Sequence, residues 1–254
     1  MALIAFIVPI LPGLVWLWVF YRMDHHEPEP LSLVGYTFVL GGMAILPALG
    51  AERLATLLLP TLSGNDVWSL FLMCFFVIGP CEEVAKFLAV RLFMFRHHEF
   101  DEPLDGIVYA SAAALGFASL ENVIYVVQLQ SGIGAIGPLG IVAIDWPTLI
   151  VRSLITLPGH VLFATAWGAA LGRRKFNSRY RVWPLVGASS ALHGLYDFLA
   201  LTGRLRAYLL VYAAVVVPWV LYTIWALRRD SKYSEERTVY DLRAPDPEDY
   251  DRSR

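Results

Sequence analysis

The chain has 254 residues, 57% of them hydrophobic, and a formal net charge of −2. A soluble domain is nearer 45–50% apolar, so the composition excludes a soluble globular protein and points to a polytopic membrane protein. The near-neutral charge says nothing about nucleic acid, but no basic stripe with interleaved aromatics appears, so no nucleic-acid partner is expected; the two cysteines, Cys74 and Cys81, read as small apolar residues, not a disulfide framework or zinc knuckle.

Hydropathy divides the chain into about seven transmembrane helices, over residues 2–21, 31–50, 67–95, 104–129, 148–172, 182–201 and 207–227. The expected fold is all-α, a helical membrane bundle over 1–227. The first span lacks a basic leader and a small-residue cleavage site, so it reads as a retained helix, bent by Pro9 and Pro12. Residues 54–62 are apolar but too short to cross. Residues 130–147 read as a Gly-rich loop closed by Asp145-Trp146-Pro147, and the charged segment 228–254 as a disordered tail.

Lysine and arginine set the expected orientation. Arg173, Arg174, Lys175, Arg179 and Arg181 follow the fifth span, and Arg228, Arg229 and Lys232 follow the seventh. The positive-inside bias makes both segments cytoplasmic and the N-terminus external. Arg152, near the outer end of its span, is expected to snorkel to the interface. Small residues at Ala112/Gly116, Ala164/Gly168/Gly172 and Gly187/Ala191/Gly194 predict close helix packing.

The third span holds Gly79-Pro80-Cys81-Glu82-Glu83-Val84-Ala85-Lys86. A charge at mid-membrane costs roughly 2.5–3.5 kcal/mol on insertion scales, so two adjacent carboxylates there mark a functional site. Three further spans carry Phe117-x-x-x-Glu121-Asn122, Pro158-Gly159-His160 and His193-x-x-x-Asp197. At 1.5 Å of rise per residue, Glu121, His160 and His193 lie about 12–18 Å below the outer ends of their spans and Glu82 about 22 Å, less if the helix breaks at Gly79-Pro80. Four helices running in alternate directions thus bring polar groups to one layer. Lys86 can reach Glu82 at four residues and Glu83 at three, holding one carboxylate ionised and leaving the other for acid–base work. His193 and Asp197 share a face; Asp197 either fixes the His193 tautomer or joins it at a metal. His25, His26, His97 and His98 read as solvated loop residues.

In order and spacing these motifs, with Asp105-Gly106-Ile107-Val108-Tyr109 and Gly116-Phe117-Ala118 in support, resemble the PrsW family of intramembrane proteases over about residues 79–200. That family is similar in turn to the CAAX prenyl proteases of Ras-converting-enzyme type, in which a Glu-Glu pair, a motif opening with Phe and a late His motif line a membrane cavity. The resemblance implies a multi-pass protease of the bacterial cytoplasmic membrane that hydrolyses a peptide bond of a single-span membrane protein or peptide. The named member makes the first cut in an anti-sigma factor on the extracytoplasmic side.

On this reading Glu82 or Glu83 is the general base for water, Lys86 holds the partner carboxylate, and His160 and Glu121 position or polarise the water. His193, backed by Asp197, stabilises the oxyanion or ligates a metal, and Asn122 is an oxyanion donor or a structural bond. The metal candidates are Glu83, Glu121, His160 and His193; a catalytic zinc takes three such ligands and a water. The usual His-Glu-x-x-His signature is missing, so a glutamate-activated water stands level with a metal-bound one. The alternatives are an ion or metal transporter using the same Glu/His cluster, a non-catalytic scaffold, and a prenyl-protein protease. No repeat of the Glu-Glu motif in a second half supports a transporter, and no polar position of the motif set is lost as a dead homologue would predict.

Overall fold

In a computed structural model of the chain, the described residues are 2–23, 28–64, 66–132 and 146–204, with scattered positions as far as 225. Among them every regular element is helical. The helices are α1 (Ala2–Met23), α2 (Leu31–Met43), α3 (Ile45–Leu58), α4 (Val67–Met73), α5 (Gly79–Phe93), α6 (Asp105–Gly132), α7 (Trp146–Val151), α8 (Leu157–Phe176) and α9 (Trp183–Leu201). Among the described residues, four continuous helical stretches are long and apolar enough to cross a membrane: Leu31–Leu58, Val67–Phe93, Asp105–Tyr125 and Trp146–Phe176. The helical membrane bundle expected from hydropathy is therefore observed. The span 207–227 falls largely, and the tail 228–254 wholly, outside the continuously described residues; of the expected loop 130–147, residues 133–145 lie outside them, whereas 130–132 continue α6 and 146–147 open α7.

The second span runs further than hydropathy suggests. Glu52 and Arg53 interrupt the apolar run, so residues 54–62 look detached, yet α2 and α3 form one stretch of 28 residues to Leu58. A single turn residue, Ala44, whose N–H bonds back to Leu40 and Gly41, joins them. Asp66 caps α4, accepting from the N–H groups of Trp68 and Ser69.

Helices α6 and α8 form the centre of the bundle, with α1 and α2 packed on α6, α9 on α8, and α5 on α9 with smaller contacts to α2, α3, α6 and α8. The described apolar windows of α6 and α8 are 78% and 72% buried, against 33% for the two stretches around them, so the central pair sees protein and the outer pair lipid. Small residues permit the contact. A Cβ added at Gly116 would overlap the Phe38 carbonyl oxygen of α2, and one at Gly168 would press on Gly106 of α6. Ala112 and Ala164 are fully buried between the helices. The repeat in α9 is only partly used: Gly194 packs against Cys74, whereas Gly187 meets nothing within 4 Å.

Two wide turns shape the site. Residues Cys74–Ile78 and Arg152–Thr156 each form a π-type turn, and each stands just before a proline, Pro80 and Pro158. A proline inside a helix lacks the N–H donor and its ring collides with the carbonyl four residues back, here Phe76 or Leu154. Widening the preceding turn relieves that collision and re-aims the side chains after it, as such turns do at functional sites. The helix does not break at Gly79-Pro80: it widens there and continues. Trp16 donates to the Ser153 carbonyl at 2.9 Å, satisfying a backbone acceptor in the second wide turn and fastening α1 there.

Candidate active site

The residues after the two wide turns face one another across the bundle. From α5, the Glu82 and Glu83 carboxylates and the Lys86 ammonium are buried, with Glu83 and Lys86 fully enclosed. Lys86 Nζ lies 2.6 Å from Glu83 Oε1 and 3.6 Å from Glu82 Oε2. It also sits 4.6 Å from the centre of the Phe117 ring, so the phenylalanine that opens the α6 motif offers its π face to the buried cation.

Glu83 is saturated. Its Oε1 accepts from Lys86 and from His193 Nδ1 at 2.9 Å, and its Oε2 accepts from Trp167 Nε1 at 2.9 Å. An ionised carboxylate is tolerable in a buried site when it is paired and its lone pairs are filled in this way. Because this carboxylate accepts only, His193 Nδ1 is the donor, and in the neutral imidazole Nε2 carries the lone pair. That nitrogen lies 3.6 Å from both Glu82 Oε2 and Asp197 Oδ2. Glu83, not Asp197, therefore fixes the His193 tautomer, and Asp197 sits on the open side of the ring.

His160 on α8 is held from two directions. Lys86 Nζ lies 3.1 Å from Nδ1, and Glu121 Oε2 lies 3.2 Å from Nε2. Lys86 is a donor only, so Nδ1 accepts and Nε2–H points to Glu121. His160 and His193 meet edge to face with ring centres 4.8 Å apart. Glu82 Oε2, Glu121 Oε2 and Asp197 Oδ2 are all buried without a full hydrogen bond, Glu121 Oε2 having only the 3.2 Å approach of His160.

All eight residues singled out in the sequence thus lie around one buried centre, with Asn122 at its edge. Asn122 Oδ1 accepts from Arg152 Nε at 2.7 Å, which makes that oxygen a structural acceptor. Arg152 does not snorkel. It turns inward, 2.8 Å from Glu121 Oε1 and stacked 3.8 Å from the Tyr125 ring centre, because a buried carboxylate on the neighbouring helix offers it a partner. Trp167 escapes sequence reading entirely, since an indole in an apolar span looks like any core aromatic. Glu52 escapes it too: it appears to hydropathy only as an interruption, yet with Glu82, Glu121, Arg152, Tyr196 and Asp197 it lines a cavity of about 450 Å³ beside the centre. Among the described histidines outside the site, His98 is an exposed loop residue 3.0 Å from Glu99; His25 and His26 lie outside the described residues. The Asp105–Tyr109 stretch serves the fold: Asp105 accepts from the N–H groups of Asp101 and Glu102, and the Tyr109 hydroxyl donates to buried Glu29.

The donor set fits a metal ion of the zinc type. Ligand atoms of Glu82, His160 and His193 all lie within 4.8 Å of one another in a buried cluster. Glu82 has an oxygen without a hydrogen-bond partner and neutral His193 has its Nε2 lone pair for such an ion, while His160 would ligate only by giving up Lys86 or Glu121; Glu83 behind His193 is the outer carboxylate that orients a ligating imidazole. This differs from the ligand set expected from the sequence, because Glu83 has no oxygen to spare and Glu82 does.

A family model described as PrsW family intramembrane metalloprotease matches residues 29–223. The chain belongs to the PrsW family. It is an intramembrane protease, and its relatives are bacterial. "Protease PrsW" of Geobacillus kaustophilus is 33% identical over 195 residues, covering 76% of this chain and 77% of that one. "Protease PrsW" of Oceanobacillus iheyensis is 30% identical over 223 residues, covering 87% and 93%. "Protease PrsW" of Bacillus subtilis is 30% identical over 194 residues, covering 75% and 79%. No solved structure matches the chain. The PrsW match covers every residue of the buried centre, from Glu82 to Asp197.

Proposed function

We propose that this PrsW-family protease cleaves a single-span membrane protein, such as an anti-sigma factor, with Glu82 as the general base. The observation that carries the assignment is the Glu82 Oε2 atom, buried without a hydrogen-bond partner beside His160 and His193, on a residue that lines the cavity. Glu83 is left the supporting role, since its two oxygens already take three donors.

Glu82, His160 and His193 would hold the metal that the family description implies. The chemistry supplied when it is bound is Lewis-acid polarisation of water and of the peptide carbonyl. The protein's own groups do the rest. A substrate segment enters the cavity beside Glu52 and Tyr196, where water is scarce and fixed charges act strongly. When it is not given to a metal, Glu82 Oε2 takes a proton from the attacking water and returns it to the leaving amine. Glu83 keeps His193 Nε2 aimed at the reacting centre, and the Lys86–His160–Glu121 chain fixes the opposite wall. Asp197, on the open side of His193, takes up the positive charge that develops there.

One observation favours a second reading, in which Glu82 activates water with no metal: both His160 nitrogens already have partners, Lys86 and Glu121. The test is cleavage of candidate single-span membrane proteins by purified protease in liposomes, with and without a chelator. Glu82→Gln should lose on the order of 10²-fold or more in rate while remaining folded, and full activity in that variant would overturn the assignment. Chelator inhibition reversed by added zinc supports the metal reading, and indifference to chelator supports the second.

A further inference from the structure

The helix ends remote from the active site enclose a second, larger cavity, of about 850 Å³, between α5, α8 and the start of α9. Arg91 lies nine residues along α5 from Glu82, about 13 Å away. Trp183 precedes Asp197 by fourteen residues of α9, about 21 Å. The cavity is therefore no extension of the catalytic one.

Its lining combines two chemistries. Four arginines, Arg91, Arg96, Arg174 and Arg181, stand around it. Among the described residues none of the four pairs with a carboxylate. Arg91 stacks on Phe95 at 4.1 Å, and Arg174 donates to the Tyr180 carbonyl; both contacts leave the positive charge uncompensated. The floor is apolar and opens onto Leu88, Leu92 and Trp183, which are 38%, 66% and 61% exposed on membrane-crossing or membrane-adjacent helices.

We propose that this cavity is a binding site for an anionic phospholipid of the leaflet on the arginine-bearing face. Guanidinium groups match phosphate oxygens in pairs of parallel hydrogen bonds. Basic pockets between transmembrane helices suit acidic headgroups for this reason. A soluble anion would satisfy the arginines but leave the apolar floor and its exposed rim without a partner. A phospholipid satisfies both, its phosphate among the arginines and an acyl chain along Leu88, Leu92 and Trp183. A zwitterionic headgroup brings its own cation to a site that already holds four. The net-negative headgroup is the complementary one.

The test uses the full-length protein in detergent with added phosphatidylglycerol, bound lipid being counted by native mass spectrometry. Wild type should retain phosphatidylglycerol in preference to phosphatidylcholine. Each single Arg→Gln change at the four positions should weaken retention about fivefold. Inorganic phosphate at equal concentration should not displace the lipid. The quadruple Arg→Lys variant keeps the charge that orients the chain and should retain phosphatidylglycerol better than any double Arg→Gln variant. Changing Arg179→Gln, outside the cavity, should leave retention as in wild type. Equal retention of the two lipids, displacement by inorganic phosphate, or Arg→Gln variants that bind as wild type does would each overturn the proposal.

Discussion

Trp167→Phe isolates the bond that organises the active site from behind. In wild type the indole N–H fills Glu83 Oε2 at 2.9 Å, and the ring packs edge to face on Phe87 with centres 5.7 Å apart. Phenylalanine keeps an aromatic ring at the site but removes the donor together with part of the indole, leaving one oxygen of a fully buried carboxylate unsatisfied. A hydrogen bond to a charged group contributes roughly 1.5–3 kcal/mol. For a chain of this size about 2–4 °C of melting temperature accompanies each kcal/mol, so a drop on the order of 3–12 °C is expected in detergent. Because the same carboxylate holds His193, kcat should fall on the order of tenfold, as for outer partners of an active-site histidine, with KM nearly unchanged. Trp167→Ala adds a cavity and should cost more, about 3–5 kcal/mol. If Trp167→Phe melts and turns over as wild type does while Trp167→Ala is damaged, ring packing is what matters and the reasoning about Glu83 is refuted.

Two further outcomes follow from the geometry. Arg152→Gln strands the Glu121 carboxylate and should cost about 3–5 kcal/mol, with the double change Arg152→Gln/Glu121→Gln recovering part of that loss in a thermal denaturation cycle. Gly116→Leu drives a side chain into the Phe38 backbone and should cost about 1–3 kcal/mol or more, whereas Gly187→Ala, with open space around it, should melt with wild type.

The sequence by itself determined the class of fold and most of the polar centre. Charges in an apolar run are costly enough to be conspicuous, so Glu82, Glu83, Lys86, Glu121, His160, His193 and Asp197 were legible one by one. The depth of each along its helix was legible too, because helical rise is fixed. What spacing along separate helices does not contain is which atoms meet across them. Only the packing of α5, α6, α8 and α9 decided that Glu83 is enclosed by Lys86, His193 and Trp167 while Glu82 keeps a free oxygen. The adjacent carboxylates differ in facing by one residue of helical rotation, and the wide turn before Gly79-Pro80 sets where that rotation starts. Arg152 and Trp167 were misread or missed for the same reason. A cation near a span end is drawn to water unless a carboxylate faces it, and an indole is a core residue unless an acceptor lies at its N–H. Both partners, Glu121 and Glu83, come from other helices, and contacts between helices belong to tertiary structure.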